Sequence, residues 1–125
     1  MAEKTLHDKV AVVTGASRGI GRAIAERLGR DGAKVVVTYA GNRDKAEEVV
    51  RVIGESGSQA VAIQTDVRDL AQVRELFART IEQFGQLDIL VNNAAGTNVF
   101  KPTAELSEDE YDSMFLITRG VYFAL

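Results

Sequence analysis

The sequence predicts an α/β fold in which a parallel sheet is covered by helices on both faces. Short runs rich in β-branched residues alternate with longer segments whose apolar residues recur at helical spacing. Helical connections of about 10–15 residues are typical of βαβ units, whose right-handed crossovers place helices on both faces. The β-branched runs also lack the apolar–polar alternation that is typical of a strand with one face exposed to solvent. The predicted strands are Val10–Thr14, Lys34–Tyr39, Ala60–Gln64 and Leu87–Val91.

Four helices are predicted from their apolar faces and from the residues that start and end helices. Residues 69–72 and 107–110 have the spacing of capping boxes, which begin the third and fourth helices. Glycines close the first three helices, at Gly32, at Gly54 or Gly57, and at Gly85. The predicted apolar faces are Ile20, Ala23, Ile24 and Leu28, then Ala46, Val49, Val50 and Ile53, then Val73, Leu76, Phe77, Thr80, Ile81 and Phe84, and finally Tyr111, Phe115, Val121, Tyr122 and Leu125.

Length and composition favour one soluble domain over residues 1–125. Apolar residues make up 46% and charged residues 26% of the chain, which is enough to bury a core. A net charge of −3 without a basic cluster argues against nucleic acid as a partner. No apolar run approaches the roughly 18 residues of a membrane span, so no membrane association and a cytoplasmic location are expected. The absence of cysteine and the solvated setting of His7 leave no predicted metal site.

A glycine-rich turn follows the first strand and opens the first helix. Residues 14–21 read TGASRGIG, which directs backbone N–H groups and the positive end of a helix dipole at one spot. Such a spot suits a phosphate. Gly15 is expected to permit the sharp exit from the strand, Gly19 to let the backbone approach a pyrophosphate, and Gly21 to let helix and sheet pack closely.

Three further motifs accompany this turn. The segment Asn92-Asn93-Ala94-Ala95-Gly96 follows the fourth strand, and Asp66-Val67 follows the third. The fourth strand itself, Leu87–Val91, is the lead-in to the Asn92–Gly96 motif. Together with the spacing of the glycines, they make the whole chain resemble the short-chain dehydrogenase/reductase family. The resemblance implies a Rossmann-like sheet in the order 3-2-1-4, in a chain of about half the family's usual length.

The resemblance also implies which residues contact a dinucleotide cofactor. Residues that match Ser17, Arg18 and Ile20 lie along the cofactor phosphates in the family. Asp66 and Val67 match residues that meet the adenine ring. Asn92, Ala94 and Gly96 match residues on the adenosine ribose and nicotinamide side. Where the family usually has glycine, this chain has Ala95, so the loop is expected to be displaced there.

The end of the second strand predicts which dinucleotide is preferred. An acidic residue there would bind the adenosine ribose diol and repel a 2′-phosphate, but the segment reads Tyr39-Ala40-Gly41-Asn42-Arg43. Arg18 and Arg43 could both face a 2′-phosphate, which favours NADP(H) over NAD(H). Tyr39, Asn42 and Arg43 complete the predicted cofactor-binding set. The alternative is that Arg43 caps or solvates its helix, or that Asp44 neutralises it.

No catalytic residue is predicted. Catalysis in the resembled family depends on a Tyr-x-x-x-Lys pair, a preceding Ser, and an Asn in the fourth helix. The residues four positions after Tyr39 and Tyr111 are Arg43 and Phe115, and Tyr122 lies too near the end of the chain. The helix Asn is either replaced by Ile117 or deleted.

Three functions remain open at this point. The first is the NADP(H)-binding portion of a reductase, with little or no turnover alone. The second is a minimal oxidoreductase that assembles non-standard groups across a dimer. The third is a self-associating α/β module with a vestigial nucleotide site. Homo-oligomerisation is expected through the open edge of the fourth strand and the apolar last helix, because bare apolar edges invite pairing.

Overall fold

The computed structural model describes residues 4–94, 104 and 107–109. Strands and helices alternate along the described chain, as β1 (Val10–Val13), α1 (Gly19–Arg30), β2 (Lys34–Tyr39), α2 (Arg43–Glu55), β3 (Ala60–Gln64), α3 (Leu70–Phe84) and β4 (Ile89–Val91). The strands form a parallel sheet in the order β3-β2-β1-β4. The predicted α/β architecture and strand order are therefore confirmed.

Alternate residues of the strands pack into separate clusters on the two faces of the sheet. On one face, Ala11, Val13, Val35 and Val37 pack with buried residues of α1 and α2. On the other face, Val12, Val36 and Ile63 pack with Leu76 of α3. Both faces of the central strands are thus buried, which explains why their sequences show no alternation.

The fourth strand is shorter than predicted because a side chain replaces one backbone contact at its start. The N–H of Val10 donates to the carboxylate of Asp88 at 2.8 Å, and the N–H of Asp88 donates to the carbonyl of Val10 at 2.9 Å. β4 begins only at Ile89, so Leu87 lies outside it. β1 likewise ends at Val13, one residue before its predicted end.

The predicted apolar faces of α1 and α3 are wrong in part. Ile20 and Ile81 are 74% and 48% exposed, and Ala23 is exposed as well. The buried residues of α1 are Gly21, Ala25 and Gly29. Small residues take the inward positions because α1 lies very close to its neighbours: a Cβ at Gly29 would lie 2.7 Å from Cγ2 of Ile53 in α2.

The predicted ends of the first three helices are confirmed. After α1, the N–H of Gly32 donates to the carbonyl of Gly29 and that of Ala33 to Leu28, both at 3.0 Å, which is a Schellman motif. Of the two alternatives for α2, Gly57 has the left-handed conformation, whereas Gly54 lies inside the helix. Gly85 is the left-handed cap of α3.

The capping box predicted for α3 forms only in part. Asp69 is the N-cap, and its carboxylate accepts from the N–H groups of Ala71 and Gln72. The Gln72 side chain does not return to the N–H of Asp69, which donates instead to the carbonyl of Asp66. The Oε1 atom of Gln72 accepts from the N–H of Asp66 at 2.8 Å.

The predicted last helix and most of the loop before it lie outside the described residues. Of the second capping box, residues 107–109 are described, and 108 and 109 are helical. Within the described ranges, we find no helix long and apolar enough to cross a bilayer.

Two helical glycines provide a matched test of the close packing between α1 and α2. Gly29→Ala should destabilise the fold by about 1–2 kcal/mol, because the buried, β-branched Ile53 cannot yield easily. Gly54→Ala should stabilise it by about 0.5–1 kcal/mol, because no neighbouring described residue lies within 4 Å of its added Cβ and alanine favours the helix. Urea unfolding measures both changes, and equal effects at the two positions would contradict the packing argument.

The Asp88 carboxylate predicts a loss of stability in acid. The hydrogen bond from the N–H of Val10, with smaller contributions from Gln86 and Lys9, lowers the pKa of Asp88. A folded-state pKa below the unfolded one stabilises the fold above about pH 4, and this contribution is lost as the pH falls further. Asp88→Asn should therefore lose less stability than the unsubstituted chain between pH 7 and pH 3. If urea unfolding shows that both proteins lose the same free energy of unfolding between pH 7 and pH 3, the assignment is wrong.

Candidate cofactor-binding site

The carboxyl ends of the four strands meet at one edge of the sheet, where parallel α/β proteins bind ligands. The glycine turn leaves β1 at this edge. It contacts the end of β2, because the N–H of Ala16 donates to the carbonyl of Thr38 at 2.9 Å and that of Gly15 to the Thr38 hydroxyl at 3.2 Å. The structure therefore brings the glycine turn and the ends of β2 and β4 together.

The conformation of the turn requires its glycines for two different reasons. Gly15 and Gly19 have φ values of +63° and +59°, in the left-handed region that favours glycine. Gly21 is required by proximity, since a Cβ there would overlap the carbonyl oxygen of Gly15 and lie 2.5 Å from Nδ2 of Asn93. The close contact at Gly21 is thus with the turn and with Asn93, whereas the sequence predicted close packing against the sheet.

The N-terminus of α1 differs from those of α2 and α3. Its N-cap, Arg18, is extended and makes no side-chain capping hydrogen bond, whereas Asn42 and Asp69 cap the other two helices. The N–H groups of the first helical turn need acceptors from outside the helix. Arg18 and Ile20 are exposed beside these groups, and Ser17 is half-buried. Among the described residues, no atom beyond the chain neighbours and the helix's own backbone lies within 4 Å of the position that a Cβ would take at Gly19.

Two residues hold the turn in shape, and sequence reasoning did not single them out. The buried hydroxyl of Thr14 accepts from the N–H groups of Asn93 and Ala94, at 3.0 and 2.9 Å. The Nδ2 atom of Asn93 donates to the carbonyls of Thr14 and Gly15, both at 3.2 Å. We call these four bonds the Thr14–Asn93 latch. The available signal was a polar residue at or just beyond the end of each of two predicted apolar strands, Thr14 at the end of the first and Asn93 after the fourth.

The predicted residues at the end of β2 have different structural settings. Tyr39 is 8% exposed and belongs to the core. Asn42 is the N-cap of α2 and accepts from the N–H of Lys45 at 3.1 Å. Arg43 is therefore not the cap, which removes one alternative. Its side chain is 77% exposed and lies 4.0 Å from Glu47.

The residues after β3 are fixed by contacts with α3. Val67 is buried against Val73. Asp66 is half-buried, and its carboxylate accepts from the guanidinium of Arg68, which lowers the pKa of Asp66.

The residues after β4 are described only in part. Asn92 is exposed, and Ala94 packs against the cluster around Val67. Gly96 and the unusual Ala95 lie outside the described residues. Far from this edge, the exposed His7 lies 3.4 Å from Asp8, and the described chain contains no group of side chains suited to a metal ion.

Comparisons with known proteins agree with this architecture. The family model of the short chain dehydrogenases matches residues 9–123. The hydroxynaphthalene reductase-like protein Arp2 of Metarhizium majus is 48% identical over 121 residues, which cover 96% of this chain and 45% of that protein. This chain therefore spans about half the length of the curated relatives it matches.

Two solved structures are similar in sequence and in fold. A short-chain dehydrogenase/reductase variant of Serratia marcescens is 42% identical, with a TM-score of 0.89 over 95% of this chain and 49% of that one. A blue fluorescent protein from a metagenomic library, in complex with NADPH, is 41% identical, with a TM-score of 0.87 and the same coverage. With the glycine turn, the sheet order and a family match over nearly its whole length, this chain belongs to the short-chain dehydrogenase/reductase family.

Proposed function

We propose that this chain binds NADP(H) as the cofactor-binding portion of a short-chain dehydrogenase/reductase-type oxidoreductase, with little or no turnover alone. The observation that carries the proposal is the N-terminus of α1. It lacks a side-chain cap and begins at a left-handed glycine turn, and no described residue fills the space beside Gly19. Backbone N–H groups and the helix dipole together favour a phosphate at that position.

The remaining cofactor contacts follow from the position of the strand ends. Ser17, Arg18 and Ile20 flank the proposed phosphate position. Asp66 and Val67 would contact the adenine ring, and Asn92, Ala94 and Gly96 the ribose and nicotinamide side. This assignment rests on the family resemblance and on the placement of the described residues at one edge of the sheet.

Charge at the end of β2 supports NADP(H) over NAD(H). Within the described part of the chain, the exposed Arg43 has a single, distant ionic contact, with Glu47 at 4.0 Å, so its guanidinium remains available to an anion. The related blue fluorescent protein is bound to NADPH. Arg18 would supply a second cation from the glycine turn.

The proposal of little turnover rests on sequence alone, since no Tyr-x-x-x-Lys pair is present. The alternative, a minimal oxidoreductase, requires NADPH oxidation with simple ketones or quinones. Measurable oxidation by the isolated chain would favour that alternative. Retained cofactor affinity without oxidation would favour the proposal over a vestigial site.

Replacement of Arg43 tests the preference for NADP(H). Arg43→Ala should weaken NADPH binding by about tenfold, the lower end of what a charge-assisted hydrogen bond contributes, because the side chain is largely exposed. NADH binding should change little. Arg51→Ala is the matched control, since Arg51 is an exposed arginine of the same helix about 12 Å further along. Calorimetric titration of the unsubstituted chain and both variants with each nucleotide measures the affinities, and an equal loss for NADPH and NADH in Arg43→Ala would argue against a 2′-phosphate contact.

We also propose that the chain self-associates through the edge of β4, together with the predicted last helix. In the described sheet β4 is an edge strand, and Ile89, Leu90 and Val91 are only half-buried. Light scattering at micromolar concentration should give a mass of at least a dimer. A monodisperse monomer would overturn this part of the proposal.

A further inference from the structure

Arg68 holds the carboxylate of Asp66 through both of its oxygen atoms. The Nε atom of Arg68 donates to Oδ1 at 3.1 Å, and its Nη2 atom donates to Oδ2 at 3.1 Å. The backbone N–H of Arg68 also donates to Oδ1, at 3.0 Å. The planar guanidinium fork matches the plane of a carboxylate, so this pairing fixes the orientation of the side chain as well as its charge.

The main chain of Asp66 is held separately by the start of α3. Gln72 accepts from the N–H of Asp66 at 2.8 Å and donates through Nε2 to the carboxylate of Asp69 at 3.1 Å. Asp69 in turn caps α3. The backbone of Asp66 is thus tied to a helix terminus, while its side chain depends on Arg68.

Counting hydrogen bonds shows what Asp66 can still accept. An ionised carboxylate has about four acceptor sites, two on each oxygen. Among the described residues, Oδ1 already accepts two hydrogen bonds and Oδ2 accepts one. One acceptor site therefore remains, on Oδ2. An aspartate carboxylate is ionised at neutral pH and cannot donate, and the pairing with Arg68, which lowers the pKa of Asp66, favours the ionised form further.

We propose that Arg68 is a positioning residue that directs the remaining acceptor site of Asp66 at the exocyclic amino group of the cofactor's adenine. This inference rests on the proposed function. An amino group donates to Oδ2, whereas a keto oxygen in the same place would meet an acceptor with an acceptor. Removal of Arg68 leaves the backbone of Asp66 in place but frees its carboxylate to rotate.

The position of Arg68 argues against a mainly structural role. Its side chain is 54% exposed and that of Asp66 41% exposed, and exposed ion pairs contribute little to folding stability. Both Arg68→Ala and Arg68→Lys should therefore fold. Lysine keeps the positive charge but lacks the two-pronged donor, so the pair of variants separates orientation from charge.

The test compares NADP⁺ with its 6-deamino analogue, in which hypoxanthine replaces adenine. Calorimetric titration of the 125-residue chain should show a preference for NADP⁺ of about tenfold or more, as expected for a hydrogen bond to a charged group. In Arg68→Ala and Arg68→Lys, the ratio of the two affinities should fall to within about threefold of unity. Arg74→Ala, which removes an exposed arginine of α3, is the control and should keep the ratio.

A second measurement does not need the cofactor. In the ligand-free chain, the pKa of the Asp66 carboxyl followed by NMR should rise towards its ordinary value in Arg68→Ala. An unchanged pKa would show that the pair does not form and would overturn the inference.

The possible failures are distinguishable. If neither nucleotide binds the unsubstituted chain, the proposed function fails, and the inference fails with it. If both bind equally well, the adenine contact of Asp66 is wrong. If the ratio survives Arg68→Ala or is restored by Arg68→Lys, Arg68 does not act by orienting the carboxylate.

Discussion

The hydroxyl of Thr14 lies where β1 and β4 end, and the shape of the glycine turn depends on its hydrogen bonds. It accepts from two backbone N–H groups after β4, and the Asn93 side chain returns two bonds to carbonyls of the turn. Polar backbone groups in so buried a setting are costly to leave without partners. The latch therefore pairs polar groups on the inner side of the turn with residues after β4. The outer surface of the turn, beside the start of α1, is left for another molecule.

Close approach is the second constraint, and it acts along the whole of α1. At one end, Gly21 lies against the carbonyl of Gly15 and the amide of Asn93, and at the other Gly29 lies against Ile53. The fully buried residues of α1 are accordingly small, Gly21, Ala25 and Gly29, whereas Ile24 and Leu28 pack against the core from partly buried positions. Ile20 lies on the outer side of the helix start, where it flanks the proposed phosphate position with 74% of its surface exposed. The close approach thus accounts for the buried stripe of small residues on α1.

Most of the fold could be predicted from the sequence, because β-branched runs, helix caps and the family resemblance all indicate the same sheet. The predicted apolar faces were wrong at Ile20 and Ile81, which are exposed. Periodicity records where apolar residues recur, but it carries no information on how closely a helix approaches its neighbours. Asn42 was assigned only to the cofactor, although its position before α2 is that of an N-cap. Arg68 was missed because a pair of opposite charges two residues apart is not a recognised motif. Only the folded structure shows that its guanidinium contacts both oxygens of the Asp66 carboxylate.

The latch also has a consequence for the order in which the molecule is made. The two ends of the Thr14–Asn93 hydrogen bond are 79 residues apart, although the glycine segment itself is synthesised near the start of the chain. A growing polypeptide that extends only to β3 contains the whole glycine sequence but not the contacts that shape it. Contacts across such separations form late and slowly compared with local helices. If the glycine turn binds a phosphate as proposed, the latch can shape it for that purpose only after β4 has been synthesised and has docked beside β1.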